Sequence, residues 1–315
     1  MKDKISLSIN PSYLCNLRCD FCYLSKLQLS SPQVISEELL FERLSTVGAS
    51  RIIEHVDLYG GEIALIKPVQ LKSIIDIIKI FYNGKINVIT NLTIVNPLFL
   101  EEDITLTVSW DFFAREQHEK VYQHMLNLKK DFHLLILAGH QLITMNDELF
   151  STMLNKLNNL PNLKTVEIKP YSDNSFHHQD VSFKDFENWL IKWISNQNRF
   201  NFQFINILKI QDSLSKMYSS WSDDHLYITP DGSYSVLEFD NQNKEFFLKL
   251  DNFEQYIDWA KKEKIKVRNN TFCGNCEFLG SCLSEHLQPV QNLDSSCNGF
   301  KNLLTWYRNT YPVNA

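Results

Sequence analysis

The chain has no run approaching the ~18 consecutive apolar residues that a membrane span requires. Its N-terminus, MKDKISLSINPSYLCN, lacks the apolar core and small-residue cleavage site of a signal peptide. Positive charge is in deficit: 31 Lys and Arg stand against 37 Asp and Glu, a formal charge of −6. That balance argues against nucleic acid or an anionic membrane as the main partner. On these absences the protein is expected in the cytoplasm, where thiols stay reduced and structural disulfides are rare. Internal repeats and low-complexity linkers are also missing. So is cysteine from residues 23–272: all seven lie in two groups, Cys15, Cys19 and Cys22 near the start, and Cys273, Cys276, Cys282 and Cys297 near the end. Core cysteines would scatter, so grouped and reduced thiols point to metal ligation.

What is present is ordinary for a soluble globular chain of 315 residues, with 44% hydrophobic and 22% charged residues. Short apolar runs at Ile5–Ile9, Ile52–Tyr59, Ile86–Thr90, Ile104–Trp110, Phe132–Ala138 and Thr165–Lys169 read as strands. Helical patterns at Ser36–Val47, Pro68–Phe81, Arg115–Lys129 and Asn146–Asn158 lie between them, with Ser36 as a cap and Glu37 and Glu38 suited to a first turn. Alternating β and α predicts an α/β fold with a parallel sheet, and six strands fit a partial (β/α)6 TIM-like barrel. Ser182–Ile194 reads as a helix with a core stripe. Leu226–Phe239 reads as a β-hairpin around Pro230-Asp231-Gly232, and Phe253–Lys262 and Phe300–Arg308 as helices. The division falls as residues 1–205 for the barrel and 206–315 for a small C-terminal domain carrying the hairpin.

The segment CNLRCDFCY spaces its thiols Cys15-x3-Cys19-x2-Cys22, directly after the first strand. Three thiolates leave one iron of a [4Fe–4S] cube without a protein ligand, and an open position is what chemistry at a metal needs. The alternative is zinc, which would need His55 or a distant residue to close the site.

With the aromatic Tyr23 after it, this spacing resembles the radical S-adenosylmethionine superfamily. Gly60-Gly61-Glu62 after the second strand resembles the family's Gly-Gly-Glu segment, which binds the methionine amino group, with Ile63 where Pro is usual. Thr90-Asn91 resembles the Thr-Asn-Gly end of the third strand, with Leu92 in place of Gly. Ser109-Trp110-Asp111 resembles the Ser-x-Asp end of the fourth. The family's arginine about a dozen residues later is absent at that spacing, leaving Arg115 or Lys120 as substitutes. The resemblance implies that Cys15, Cys19 and Cys22 hold the cluster that cleaves the cosubstrate, and that Tyr23, Gly60, Gly61, Glu62, Asn91, Ser109 and Asp111 contact S-adenosylmethionine. All four motifs fall at strand C-termini, where barrel active sites sit.

The tail, Cys273-x2-Cys276-x5-Cys282-x14-Cys297, supplies four thiolates, enough for a second [4Fe–4S] cluster or for a structural zinc. It resembles the SPASM/twitch-type domain of peptide-maturing radical enzymes, matching the outer of that domain's two clusters. His286 and Leu237 stand where cysteines of the inner cluster would be, which implies one auxiliary cluster; His286 reads as a surface or capping residue. Full ligation suits electron transfer or structural support. The resemblance implies an oxidoreductase generating a 5′-deoxyadenosyl radical, acting on a ribosomally made precursor peptide (RiPP biosynthesis) to form an intramolecular crosslink, C–C cyclophane-type or thioether. An electron donor such as flavodoxin or ferredoxin is implied too. With four residues or so before the first strand, the leader is expected to bind a separate leader-binding protein or an exposed strand. The rival readings are a dehydrogenase or rearrangement enzyme for a sugar or nucleoside, and a non-catalytic zinc protein.

Overall fold

Alternation along each strand builds the architecture. In a computed structural model of the chain, residues 2–112, 115, 117–170, 181–238, 246–283, 297 and 300–311 are described. Seven strands run parallel: β1 (Lys4–Ile9), β2 (Ile52–Leu58), β3 (Ile86–Thr90), β4 (Ile104–Ser109), β5 (Phe132–Ala138), β6 (Leu163–Pro170) and the short β7 (Gln203–Phe204). One face of each is apolar and buried, as with Ile5, Leu7 and Ile9 of β1, Leu106 and Val108 of β4, and Leu134 and Ile136 of β5. The other face carries Ser8, His55, Asp57, Asn87, Thr107, His133 and Thr165, linked side chain to side chain across the strands. The buried face lies under helices and the polar face lines the concave interior, the arrangement that period-two alternation produces in an open barrel.

The connecting helices are α1 (Glu37–Ser50), α2 (Pro68–Phe81), α3 (His118–Asn127), the single turn α4 (His140–Ile143), α5 (Asp147–Asn158) and α6 (Phe183–Ser195). Ser36 caps α1 through its side chain, which accepts from the Leu39 N–H at 3.2 Å. Asn146 and Ser182 cap α5 and α6 in the same way. The link from β3 to β4 has only a 3-10 turn, at Pro97–Leu100. The α6 stripe is core: Trp193 meets Phe150, Phe200 and Phe204. Two helices differ most in their bounds from the sequence pattern. α3 begins at His118 rather than Arg115 because Arg115 is tied back to Asp111 and Ser109. The helix expected over Phe253–Lys262 continues to Arg268.

After α7 (Ile205–Leu214) come β8 (His225–Ile228), β9 (Tyr234–Val236), β10 (Leu248–Leu250), α8 (Phe253–Arg268) and α9 (Lys301–Thr310). The expected hairpin is β8–β9, and Gly232 at φ 75° supplies the turn conformation that favours glycine. The hairpin does not stand apart from the barrel. β8 pairs parallel with β1, Ser6 opposite His225 through Ile9 opposite Ile228, so one ten-stranded sheet runs β10-β9-β8-β1-β2-β3-β4-β5-β6-β7. The open edge of β1 is thereby covered, which an incomplete barrel needs. At the other end, the buried Glu187 of α6 accepts from Leu303 N at 3.0 Å and from Asn302 Nδ2 at 3.2 Å, a carboxylate seated at the N-terminus of α9. Among the described residues no helix is long and apolar enough to cross a membrane.

Candidate active site

The three-cysteine loop leaves the C-terminal end of β1 and is fixed by its own backbone. Cys15 N donates to Leu29 O at 3.1 Å and Cys22 N to Cys19 O at 3.1 Å. Arg18 donates to the carbonyls of Cys15 and Leu17 and to Ser30 Oγ. All seven cysteines are free thiols, which removes disulfide pairing as a use for them. Burial pushes Cys19 up to about 12, and the nearby Asp111, Cys22 and Cys15 push the same way while Arg115 opposes them. Burial likewise raises Cys15 and Cys22. The three thiols thus share one poorly hydrated mouth.

The glycines do something the sequence alone does not indicate. A Cβ on Gly61 would lie 2.3 Å from the carbonyl oxygens of both Tyr13 and Leu14, and one on Gly60, at φ 154°, 2.3 Å from Ser12 O. Gly61 N donates to Ser12 O at 3.0 Å and Glu62 N to Leu14 O at 2.8 Å. The pair therefore lets the end of β2 lie directly against the cysteine loop, and bare backbone is what that approach requires.

Glu62 is a buried brace. One carboxylate oxygen, Oε1, accepts from Thr90 Oγ1 at 2.6 Å and Ala64 N at 2.9 Å; the other, Oε2, accepts from Asn91 N at 2.7 Å. Burial raises its carboxyl pKa despite these donors. Asn91 then reaches across to Asn16 Oδ1 at 3.1 Å, with Cys15 Sγ 3.9 Å away. Leu92, where the resembling family has Gly, adopts φ 53°. The left-handed turn is retained without glycine, a conformation that costs an L-residue about 1–2 kcal/mol.

The end of β4 closes the circle. Arg115, 8% exposed, donates from Nε to Asp111 Oδ2 at 2.7 Å and from Nη2 to Ser109 Oγ at 2.6 Å. Its guanidinium lies over the Phe21 ring, 5.3 Å from the centroid, inside the cysteine loop. Of the two candidate cations Arg115 is thus the one at the mouth, while Lys120 lies exposed on α3. Tyr23 stacks on Phe246 at 4.7 Å. Its hydroxyl and Asn10 Oδ1 are buried without a well-formed hydrogen bond, beside Tyr59.

Asn10, Asn16, Tyr59 and Thr93 also belong to this mouth, and the sequence reading did not pick them out. Asn10 Nδ2 donates to Tyr59 O at 3.1 Å and Asn16 Nδ2 to Thr93 Oγ1 at 2.7 Å. Their one sequence signal is polarity immediately after a barrel strand. His55, the residue that could close a zinc site, is engaged elsewhere, with Nε2 3.0 Å from Asp57 Oδ1.

The tail thiols also converge. Burial pushes Cys273 up to about 11, and Cys297, Cys282 and Cys276 push it further. His286 lies outside the described residues, and Leu237 follows β9. Among the described residues, no three His, Cys, Asp or Glu side chains gather tightly enough for a single metal ion. A [4Fe–4S] cube takes each thiolate on a separate iron and so asks for a wider set.

No protein-family model and no curated protein matches the chain. Solved structures do. Native anSMEcpe with bound AdoMet and Kp18Cys peptide is 15% identical, with a TM-score of 0.70 over 98% of this chain and 97% of that one. Streptococcus suis SuiB bound to S-adenosylmethionine is 15% identical, with a TM-score of 0.61 over 89% of this chain and 72% of that one. SuiB bound to precursor peptide SuiA is 14% identical, at 0.61 over 90% and 71%. At this identity the likeness shows the fold alone: the chain folds as anSMEcpe and SuiB do.

Proposed function

We propose that the chain is a radical S-adenosylmethionine oxidoreductase that modifies a ribosomally made precursor peptide. One observation carries this reading. The three-thiol loop, Gly60-Gly61-Glu62, Asn91 and the Ser109–Asp111–Arg115 group are knit together at the C-terminal ends of four adjacent strands. The donor set fits a cluster: three thiols near enough to act on one another, with a guanidinium nearby.

Cys15, Cys19 and Cys22 would hold the cluster, and Tyr23, Gly60, Gly61, Glu62, Asn91, Ser109 and Asp111 would border S-adenosylmethionine. When bound, that pair supplies one-electron cleavage to a 5′-deoxyadenosyl radical. The chain's own part is positioning. Glu62 holds the ends of β2 and β3 at a fixed separation, and would set its negative charge toward the ammonium of a bound cosubstrate. Arg115 keeps a positive charge over the loop, where it favours thiolate, and keeps Ser109 and Asp111 in place. Burial excludes water that would quench a radical.

Residues 206–315 form the proposed SPASM/twitch-like part, with a second [4Fe–4S] cluster on Cys273, Cys276, Cys282 and Cys297. The peptide substrate is drawn from the anSMEcpe and SuiB structures, whose descriptions include a bound peptide. A crosslink is the expected product because all seven thiols are assigned to clusters and none remains to return a hydrogen atom. After hydrogen abstraction the substrate radical would bond to a neighbouring group, giving one electron to the cluster held by the tail thiols and one proton to solvent, which leaves a product lighter by two hydrogens. Anaerobic incubation with S-adenosylmethionine and dithionite should yield 5′-deoxyadenosine, and mass spectrometry of the peptide should show the loss. No 5′-deoxyadenosine would refute the activity; a mass-neutral product with D-residues would refute the crosslink.

A further inference from the structure

The last two turns of α8, KKEKIKVR, carry Lys261, Lys262, Lys264, Lys266 and Arg268 against one acid, Glu263, which is fully buried. In a chain with a formal charge of −6 this is a concentrated island of the opposite sign. Lys264 turns inward, paired with Asp223 and set 5.7 Å from the Trp221 ring centroid. Lys261, Lys262, Lys266 and Arg268 are exposed, with Lys261 3.7 Å from Asp258 and the Arg268 guanidinium 5.5 Å from the Trp221 ring centroid. Among them lie two large apolar side chains: Ile265 is 58% exposed and Phe272 41%.

Cations near a helix C-terminus complement its dipole, and that alone would explain Lys266 and Arg268. It does not explain apolar exposure. Positions 261, 265 and 268 follow one another at helical spacing along one face of α8, and the turn after the helix carries Phe272 to the start of the cysteine tail. There Asn270 Oδ1 accepts from Phe272 N and Cys273 N, both at 2.9 Å, and Asn270 O accepts from Gly274 N at 2.9 Å. The tail is thus clamped onto the end of α8, and Phe272 precedes Cys273 directly. An apolar centre in a charged rim, beside a set of thiols, has the make-up of a small transient contact.

We propose that this stripe is the docking surface for an acidic one-electron carrier protein of the flavodoxin or ferredoxin type, which exchanges electrons through the tail. The inference rests on the cluster reading of the four tail cysteines. Charge decides the occupant: the net negative surface repels an acidic carrier elsewhere and steers it to Lys261, Lys262, Lys266 and Arg268. The face is a convex helix rather than a groove, so it suits a protein surface better than an extended peptide.

The test compares the holoenzyme with its Lys261→Glu, Lys262→Glu, Lys266→Glu triple variant. Reduction is driven either by an acidic flavodoxin with its NADPH reductase or by dithionite, which needs no docking. With flavodoxin, the carrier concentration for half-maximal 5′-deoxyadenosine formation should rise on the order of tenfold, and its salt dependence should flatten. With dithionite, wild type and variant should match. Calorimetric titration of flavodoxin at low salt should show binding to wild type and none to the variant. Equal flavodoxin dependence of the two proteins would overturn the proposal. So would loss of binding to a synthetic Glu-rich peptide with flavodoxin dependence unchanged, which would assign the surface to a peptide. Failure of wild type with dithionite would count instead against the cosubstrate-cleaving reading, and the titration would still decide the surface.

Discussion

Glu62 Oε2 accepts the backbone N–H of Asn91 at 2.7 Å, joining the ends of two neighbouring strands through a side chain that is almost wholly buried. Replacing Glu62 by Gln sets an NH2 group against donors whichever way the amide turns, because both oxygens already accept from the protein. The expected cost is about 1–3 kcal/mol in urea unfolding, with weaker S-adenosylmethionine binding by titration. Unchanged stability and affinity together would show that the brace is dispensable.

Asp111 and Arg115 form a buried pair, and Asp111→Asn removes the charge together with one acceptor. Asn can still accept from Leu137 N through Oδ1, but its NH2 then faces the Arg115 Nε donor, and Arg115 is left uncompensated. Breaking such a pair costs about 3–5 kcal/mol. Denaturant midpoints for the two proteins check this, and a shift below 1 kcal/mol would mean that water reaches the arginine.

Gly61→Ala tests the close approach of β2 to the cysteine loop. Its Cβ would strike two carbonyl oxygens at 2.3 Å, both backbone, so the loop must move. We expect destabilisation of about 3 kcal/mol or more, and loss of the iron held by the first site with the tail's iron retained. A variant that keeps the full iron and sulfide content would show the loop to be compliant.

Cys19→Ala and Cys276→Ala separate the two thiol sets. The first should abolish 5′-deoxyadenosine formation while the tail keeps its iron. With dithionite as the reductant, the second should leave cleavage intact and stop release of modified peptide. Since metal binding couples to folding, each variant is read only alongside its circular dichroism. Normal product from a folded Cys276→Ala protein would make the tail cluster dispensable.

His55 and Asp57 give a pH signature inside the barrel. Burial works to raise Asp57, but the hydrogen bond and charge of His55, with Asn87, outweigh it and hold the carboxyl below its ordinary value. The hydrogen bond to Asp57 raises His55 against burial. A lowered acid contributes stability above its ordinary 3.8 and loses it as pH falls; a raised His contributes fully below 6.5 and loses it as pH rises through the folded value. The stability gap between wild type and His55→Gln should therefore be wider at pH 5.5 than at pH 8.5. Equal gaps would mean that the pair does not titrate.

Much of this was legible in the sequence because the signals were local. Ile86–Thr90 and Phe132–Ala138 alternate within their own few residues, and Ser36 caps the helix that follows it. What was hidden depends on residues far apart. Nothing around His225 announces that it will pair beside Ser6, and nothing around Gly61 announces the carbonyls of Tyr13 and Leu14. Arg115 sits six residues after Ser109, too early for the spacing the resemblance implies, and only the fold shows that it turns back over Phe21. α7 begins at Ile205 with no side-chain cap, so its start carries no mark.

The pairing of β8 with β1 also sets an order of events during synthesis. The two strands meet through contacts such as Ser8 Oγ to His225 Nε2, between residues 217 apart in the chain. While the ribosome makes the intervening barrel, β1 can pair with β2 but presents an open edge on its other side. That edge is adjacent to the cysteine loop, and it stays uncovered until the hairpin emerges. The nascent barrel is thus most exposed to mispairing at the strand that leads into the cysteine loop, and a chaperone that shields this edge would protect that loop as well.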